Sequence, residues 1–295
     1  MTSKKLAISI ARCSELSVAA CDSTHPCHQV VSVQSNMKSR HVPEPWFGDI
    51  EHARVLFLSS NPSIDRTEGP SSEEFPLESW SDELIAEWTT RRTEQAWERV
   101  PVTFNHPKHR DFLRRSIDGT YLGYGKSGLE PQTTWNKTHF RAKELLGEVA
   151  DPSQSYALTE VVHCKSENEV GVKEALPRCT EKWFNPVMQL ANSANVLILA
   201  GSKVRDGWAK TYFGLSKEYG KKNVSLTGIE RAKRDTFIDH SLGRHRLVIY
   251  MGQPAFSASL RNLYGQKVLE LMSQIALGNR AVPKSTLEWH QLFEN

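Results

Sequence analysis

Polar residues that can form hydrogen bonds follow three of the apolar runs in this sequence. Ser60-Asn61-Pro62-Ser63 follows the first run, Glu160 and His163 end the second, and Gln253-Pro254-Ala255 follows the last. The amides of Asn and Gln donate and accept hydrogen bonds without a charge, whereas an ionised Glu only accepts them. Together these groups could orient a polar ligand and stabilise charge that develops during a reaction.

Five cysteines are the other residues whose chemistry stands out. Cys13, Cys21 and Cys27 lie near the N-terminus, and fourteen residues separate Cys164 from Cys179. The odd number argues against complete disulfide pairing, and thiolates are soft ligands for metals. The cysteines therefore indicate metal ligands, with free buried thiols and a zinc site as the two alternatives.

The elements that must position these groups are predicted by the pattern of apolar residues. Strands are expected at 53–60, 156–162, 195–200 and 246–250, and helices at 140–149, 181–193 and 260–277. Strands that alternate with helices predict an α/β fold, here a three-layer α/β/α domain with a mainly parallel four-stranded sheet. Ligands of such sheets bind outside the carboxyl ends of the strands, so the three polar segments are expected to form one site.

A single domain over residues 1–295 is the simplest division of the chain, because no internal repeat is present. Residues 1–41 form an N-terminal segment that carries three of the cysteines. Residues 68–131 are rich in Pro, Ser and charge, with a helical stretch near 81–98 and a Gly-rich end at 122–125. This stretch is predicted to be a helical insertion, not a second core.

Basic residues are concentrated in two stretches although the net charge is small, 37 minus 34 or +3. Between Lys203 and Arg246 there are eleven Lys and Arg against five Asp and Glu, and residues 91–115 form the second stretch. Such patches can contact phosphates, with an ordinary solvated surface as the alternative. The sequence has no apolar run of about 18 residues and no convincing signal peptide, so we expect a cytoplasmic protein without a membrane partner.

The three polar segments, in this order, resemble the motifs of the uracil-DNA glycosylase superfamily. The first family motif, a strand and a Gly-x-Asn-Pro-Gly type turn, stands here as Ser59-Ser60-Asn61-Pro62-Ser63. The middle strand of the iron-sulfur branch ends Thr-Asn-Val-Val-x-Cys, which is here Thr159-Glu160-Val161-Val162-His163-Cys164. The last motif, His-Pro-Ser or His-Pro-Ala, is here Gln253-Pro254-Ala255. The resemblance covers roughly residues 42–277 outside the insertion. It implies a uracil-DNA glycosylase-like fold and a monomeric, monofunctional DNA N-glycosylase.

The resemblance also implies catalytic roles for two amides. In the family, the Asn or Asp of the first motif positions the attacking water and supports the cationic sugar, a role that falls to Asn61. The His of the last motif donates a hydrogen bond to the departing base, and Gln253 can donate through its amide. No lysine stands at a matched catalytic position, although Lys165 lies close to the middle motif, so a lyase reaction is not expected.

A structural [4Fe-4S] cluster is a further implication of the resemblance. Cys164 and Cys179 are spaced similarly to the third and fourth cluster ligands of the iron-sulfur branch. Four cysteine thiolates hold such a cluster. Cys21 and Cys27 are expected to supply the other two because they lie nearer the first strand, and Cys13 is the substitute for either.

The base pocket departs from the family at Glu160 and Ser63 as well as at Gln253. Glu160 stands where the family carries an Asn that reads uracil, and an ionised carboxylate suits the exocyclic amine of cytosine. A Glu that faces solvent, or a protonated Glu that still reads uracil, is the alternative. Ser63 replaces the Tyr that blocks C5 substituents in strict uracil enzymes, so a 5-substituted pyrimidine would fit. Ser60 and His163 are expected to complete the base-binding residues.

Three aromatic residues could act on extracted DNA bases. An enzyme that acts on a base within DNA must take that base out of the stack. Trp135 and Phe140 are candidates for stacking on the flipped base, with core packing as the alternative. Phe256 follows the last motif, in the loop that wedges into the DNA stack in relatives.

We therefore expect a glycosylase that removes a 5-substituted cytosine, hydroxymethylated or glucosylated, from bacteriophage DNA and leaves an abasic site. In this respect the chain is similar to the antiphage glycosylases of the superfamily. One alternative is a uracil-DNA glycosylase of base-excision repair, and another is a non-catalytic relative that binds nucleic acid. A metal hydrolase built on Glu160 and His163 lacks the paired-ligand spacing of zinc sites.

Overall fold

The structure of the chain, a computed structural model, describes most of the residues outside the predicted insertion. The described residues are 1–35, 40–62, 78–86, 89, 114–115, 120–125, 128–131, 133–215, 226, 228–252 and 258–294. The chain divides into two compact units. The first unit comprises Met1–Gly48, Ser60–Asn136 and Thr159–Leu190, and the second comprises Asp49–Ser59, Lys137–Leu158 and Ala191–Asn295.

Nine strands are present in the described residues. They are β1 (Trp46–Gly48), β2 (Val55–Ser59), β3 (Arg114–Arg115), β4 (Tyr121–Gly125), β5 (Gly128–Pro131), β6 (Tyr156–Glu160), β7 (Val196–Ala200), β8 (Thr236–Asp239) and β9 (Arg246–Met251). Six of them form one mixed sheet in the order β1-β6-β2-β7-β9-β8. Strand β7 pairs parallel with both β2 and β9, whereas β8 pairs antiparallel with β9.

The predicted α/β class is confirmed, and each of the four predicted strands is present in the sheet. The sheet nevertheless has six strands instead of four, and its edge strand β8 makes it mixed. The two additional strands were missed because β1 has three residues and β8 has four. Runs of that length carry too little apolar pattern to stand out from the surrounding sequence.

Strand β7 is the best example of how the sequence determines a position in the sheet. All five of its residues are apolar and buried. Val196 lies opposite Val55 of β2 on one side and Leu247 of β9 on the other. A continuous apolar run is expected for a strand that is covered on both faces, so the strongest strand signal in the sequence belongs to an interior strand.

Helices connect and flank the strands. They are α1 (Ser3–Ala11), α2 (Glu15–Cys21), α3 (His28–Ser32), α4 (Thr133–Leu146), α5 (Val172–Cys179), α6 (Asn185–Leu190), α7 (Lys210–Tyr212), α8 (Gly228–Asp235), α9 (Leu260–Leu277) and α10 (Thr286–Glu294). The helix predicted over 260–277 is present as α9, with a kink at Gly265, whose φ of 78° and ψ of 164° are not helical. The Ser259 hydroxyl accepts a hydrogen bond from the Asn262 N–H at its start, and Gly278, with φ of 77°, ends it.

Two other helices begin earlier than predicted. The helix expected over 140–149 starts at Thr133, and the one expected over 181–193 is the end of a helical run that starts at Val172. This run contains a π-helical turn over Thr180–Phe184 just before Pro186. Proline has no N–H to donate, so the regular bonding pattern is interrupted there while the helical direction continues.

The described part of the insertion contains strands in addition to the predicted helical stretch, of which residues 82–86 are helical. Strands β3, β4 and β5 form a separate three-stranded antiparallel sheet. Short strands that contain glycine, such as β4 and β5, have little β propensity of their own, which explains why they were missed. Among the described residues, no helix is both long enough and apolar enough to cross a membrane.

Candidate functional site

The segments that follow β2 and β6 lie side by side in the first unit. The backbone N–H of Val162 donates to the carbonyl oxygen of Ser60 over 3.0 Å. The N–H of Ser166 donates to the carbonyl oxygen of Pro62, also over 3.0 Å. Two of the three polar segments predicted from the sequence are therefore brought together, and they stay paired for several residues beyond the strands.

Asn61 is half-buried within this pair of segments. One N–H of its side-chain amide donates to the carbonyl oxygen of Pro62 over 2.7 Å. This short-range bond restrains the side chain against its own turn. An amide has a second N–H and an oxygen with two lone pairs, so it can still bind a water or a ligand group.

Ser60 is held by a carboxylate that the sequence did not predict to be part of the site. The Ser60 side chain is buried, with the residue 8% exposed, and its hydroxyl donates to the Glu169 carboxylate. Glu169 lies nine residues beyond the end of β6, in a turn over Glu167–Glu169. No motif of the sequence indicates this contact, because it depends on how the turn folds back onto Ser60.

Glu160, the predicted reader of the base, is the last residue of β6 and is half-buried. Its neighbour Thr159 is buried and donates through its hydroxyl to the carbonyl oxygen of Pro45 over 2.9 Å. Successive residues of a strand point to opposite faces, so Glu160 is directed away from the face on which Thr159 makes this bond. Whether Glu160 meets a base stays a prediction.

His163 occupies a different environment from the one predicted. It is 2% exposed, and its Nδ1 lies 2.8 Å from the carbonyl oxygen of Glu44, to which only a protonated nitrogen can donate. Burial lowers the pKa of His163 to about 4, so the imidazole is neutral at physiological pH. His163 also lines a cavity beside four cysteines. This environment favours a role in the wall of that cavity over base binding.

Lys165 and Glu44 form a buried ion pair next to His163. The Lys165 Nζ lies 2.6 Å from a Glu44 carboxylate oxygen, and the two side chains are only 5% and 9% exposed. The amine of Lys165, the lysine close to the middle motif, is thus paired with a carboxylate.

Four cysteines line one cavity in the first unit. They are Cys13, Cys27, Cys164 and Cys179. Cys13 lies between α1 and α2, Cys27 directly precedes α3, and Cys179 is the last residue of α5. The space among the lining atoms is about 390 Å³, part of it open to solvent. The fold thus gathers thiols that are up to 166 positions apart, 179 minus 13, in the sequence.

The environment of these thiols disfavours their ionisation in the absence of a positive partner. Burial raises the pKa of Cys27 to about 11 and that of Cys179 to about 12, and it raises the pKa of Cys164 well above its usual value. The neighbouring cysteines add to each of these increases. A bound cation would reverse this balance because it stabilises thiolates directly.

Cys21 does not share this cavity. It is the last residue of α2 and is exposed. Cys13 precedes the same helix in the sequence and lines the cavity. The structure therefore places Cys13, named above as the substitute, and not Cys21 in one cavity with Cys27, Cys164 and Cys179.

The charged rim of the cavity is centred on Glu15. Its carboxylate accepts bonds from Arg178 over 3.1 Å and from Lys182 over 3.0 Å, and it lies 3.0 Å from the His25 ring. The bonds from Arg178 and Lys182 lower the pKa of Glu15 to about 2. Arg178 and Lys182 both line the cavity, so positive charge lies beside the thiols.

The donor set of the cavity fits an iron-sulfur cluster. Four cysteine sulfurs are the ligands that a [4Fe-4S] cluster requires, and here four cysteines line a single cavity. Within the part of the chain that the structure describes, no group of three or more His, Cys, Asp or Glu has the arrangement of a site for one metal ion.

The two aromatic residues predicted to stack on a base differ in their surroundings. Trp135 packs against the buried Phe47, with 4.3 Å between the ring centroids. This contact supports the core-packing alternative for Trp135. Phe140 is 54% exposed on α4 and could meet a ligand from solvent.

Three predicted site residues lie outside the residues that the structure describes. They are Ser63, the second catalytic amide Gln253 and the wedge residue Phe256. Strand β9 ends at Met251, and the described chain reaches Gly252, the residue directly before Gln253.

Most described cations of the predicted basic stretch 203–246 are engaged in ion pairs. Arg205 and Lys210 both pair with Asp206, with 2.9 Å between the Lys210 Nζ and a carboxylate oxygen. Arg231 and Arg234 both pair with Asp235. These two carboxylates serve four cations, so an excess of positive charge is left on this part of the stretch, as both the phosphate-contact and the solvated-surface alternatives require.

No protein-family model and no curated protein matches the sequence. The paired ends of β2 and β6 and the cavity with four cysteines are therefore the observations from which a function can be argued.

Proposed function

We propose that this chain is a monofunctional DNA N-glycosylase that removes a 5-substituted cytosine and leaves an abasic site. The observation that carries the proposal is the pairing of the Ser60-Asn61-Pro62 turn with the segment after β6. These are two of the three segments that resemble the motifs of the uracil-DNA glycosylase superfamily. We also propose that the chain has the three-layer α/β/α fold of that superfamily.

The reaction is the hydrolysis of the bond between C1′ of the sugar and the ring nitrogen of the base. The oxygen of a water molecule bonds to C1′, the base leaves with the electron pair of the broken bond, and the proton lost by the water balances the charge of the base. The sugar becomes cation-like in the transition state, so it needs little activation of the water. Asn61 would hold this water and support the sugar, and Gln253 would donate a hydrogen bond to the departing base.

Base selection is assigned to Glu160 and Ser63. The Glu160 carboxylate, at the end of β6, would accept a hydrogen bond from the exocyclic amine of cytosine. Ser63 would leave room for a substituent at C5. Hydroxymethylated and glucosylated cytosines occur in some bacteriophage genomes, so an antiviral role in the cytoplasm follows from this selection. DNA, bound by one copy of the chain, is the proposed partner.

The cysteine cavity supports the same proposal from a separate part of the first unit. Cys13, Cys27, Cys164 and Cys179 would hold a [4Fe-4S] cluster. When bound, the cluster supplies a structural cross-link and no redox step. It would join the N-terminal helices α1 to α3 to the segment that follows β6, which also carries Val162 and Ser166. Cluster binding and the shape of the turn at Asn61 are thus expected to depend on each other.

A panel of modified oligonucleotides tests the proposal. The purified protein is incubated with DNA that contains uracil, 5-hydroxymethylcytosine or its glucosylated form, and abasic sites are then cleaved with alkali. Strand breaks at a modified cytosine are expected. Breaks only at uracil would instead identify a repair enzyme, and binding of DNA without any breaks would identify a non-catalytic relative.

A further inference from the structure

We infer that Glu169 is a positioning residue of the candidate site, which holds the Ser60-Asn61-Pro62 turn through the Ser60 hydroxyl. The inference rests on the proposed function in so far as Asn61 acts on the substrate. The Glu169 carboxylate accepts a hydrogen bond from the buried hydroxyl of Ser60, and Ser60 directly precedes Asn61 in the sequence. None of the three motifs includes Glu169.

Ser60 is fixed from two directions by the segment that follows β6. Its carbonyl oxygen accepts from the N–H of Val162, and its hydroxyl donates to Glu169. Hydrogen bonds to a charged acceptor are stronger than those between neutral groups. The bond to Glu169 is therefore the stronger of the two restraints, and its loss would leave a buried hydroxyl without this acceptor.

The backbone that delivers Glu169 adopts an uncommon conformation. Asn168 and Glu169 have φ angles of 51° and 58°, and both carry a Cβ. The left-handed region is unfavourable for such residues and is found where the surrounding structure enforces it. Two consecutive residues in this region turn the chain back toward Ser60. Within the part of the chain that the structure describes, Asn168 and Glu169 are the non-glycine residues with positive φ, and they bring the carboxylate to the Ser60 hydroxyl.

Both ends of this strained turn are anchored. Before it, the Ser166 N–H donates to the carbonyl oxygen of Pro62, and the Ser166 hydroxyl donates to the carbonyl oxygen of Val170 over 2.6 Å. After it, Gly171 approaches α3 so closely that a Cβ would lie 2.3 Å from the backbone nitrogen of Val30. The turn is thus held against the Asn61 segment on one side and α3 on the other.

The tests compare Glu169→Ala with Glu169→Gln, in which an amide oxygen can still accept the Ser60 hydroxyl. With the DNA substrate found in the panel, Glu169→Ala is expected to lower kcat by about 10- to 100-fold with little change in KM, because the turn loses its alignment. Glu169→Gln should restore most of that loss. Ser60→Ala should match Glu169→Ala, and the double variant should be no worse than either single one.

Hydrogen exchange tests the positioning role without any reference to catalysis. Glu169→Ala should accelerate exchange of the Val162 and Ser166 amides by about tenfold or more, as expected for local opening of the paired segments. Glu174→Ala, at an exposed position five residues further along, is the matched control and should leave both amides as in the wild type.

These outcomes separate the two proposals. If the wild type releases no base from any substrate, the proposed function fails, while the exchange of Val162 and Ser166 still decides the role of Glu169. Unchanged exchange in Glu169→Ala would overturn the positioning role. Additive losses in the Ser60 and Glu169 variants, or a Glu169→Gln protein as impaired as Glu169→Ala, would overturn it too.

Discussion

The backbone N–H of Val162 donates to the carbonyl oxygen of Ser60 over 3.0 Å, one residue from Asn61. This bond joins the ends of two strands that are about 100 positions apart in the sequence, 162 minus 60. It places a neutral amide, a buried hydroxyl and the loop after β6 in one location. The proposed glycosylase chemistry depends on this location more than on any single residue type.

Replacing Glu160 tests which base the site accepts. Glu160→Asn supplies both a donor and an acceptor, so activity on uracil relative to a modified cytosine should rise by at least about tenfold. The ratio of kcat/KM for the two oligonucleotides measures this change. Glu174→Asn, at an exposed position of α5, is the control and should not alter the ratio. An unaltered ratio in Glu160→Asn would remove Glu160 from the base pocket.

Cys13 and Cys21 provide a matched pair for the cluster. Cys13 lines the cavity and Cys21 is exposed, so Cys13→Ser should remove most of the visible absorbance and protein-bound iron, while Cys21→Ser should retain both. The measurement is iron content and absorbance after purification without oxygen. Loss of iron in Cys21→Ser but not in Cys13→Ser would show that Cys21, and not Cys13, is the cluster ligand.

Gly171 and Gly147 separate steric contact from backbone conformation. Both have positive φ, 74° and 63°, but a Cβ at Gly171 would meet α3, whereas a Cβ at Gly147 would meet nothing within 4 Å. Gly147→Ala should cost about 1 kcal/mol of unfolding free energy. Gly171→Ala should cost about 2 to 4 kcal/mol because overpacking adds to the conformational cost. Urea unfolding measures both, and equal losses would contradict the close approach to α3.

The central strands of the sheet could be predicted because their apolar runs are long. The predicted runs at 195–200 and 246–250 became β7 and β9, and the polar segments at the ends of β2 and β6 meet as expected. The extra strands β1 and β8 could not be predicted from three or four residues. Tertiary contacts, not local pattern, determine that these short segments join the sheet.

Less of the candidate site than of the fold could be predicted. The resemblance to the iron-sulfur branch named Cys164 and Cys179, and nearness to the first strand named Cys27, and all three line one cavity. The choice between Cys13 and Cys21 depends on how α2 is oriented. The contact of Glu169 with Ser60 depends on the left-handed backbone conformation of Asn168 and Glu169. The identities of these two residues do not predict this conformation. His163 was assigned to the base by its place in a motif, whereas its surroundings place it beside the cysteines.

The most direct measurement of the proposed function is mass spectrometry of the base released from DNA. Wild-type protein should release the intact modified cytosine, hydroxymethylated or glucosylated, and leave an abasic site in the same strand. Asn61→Ala should lower the rate of release by about 100-fold, since the amide acts on the cation-like transition state, while DNA binding stays close to that of the wild type. Asn262→Ala, at an exposed position of α9, should release the base at the wild-type rate. Release of uracil alone, or equal rates for the wild type and Asn61→Ala, would contradict the proposed function.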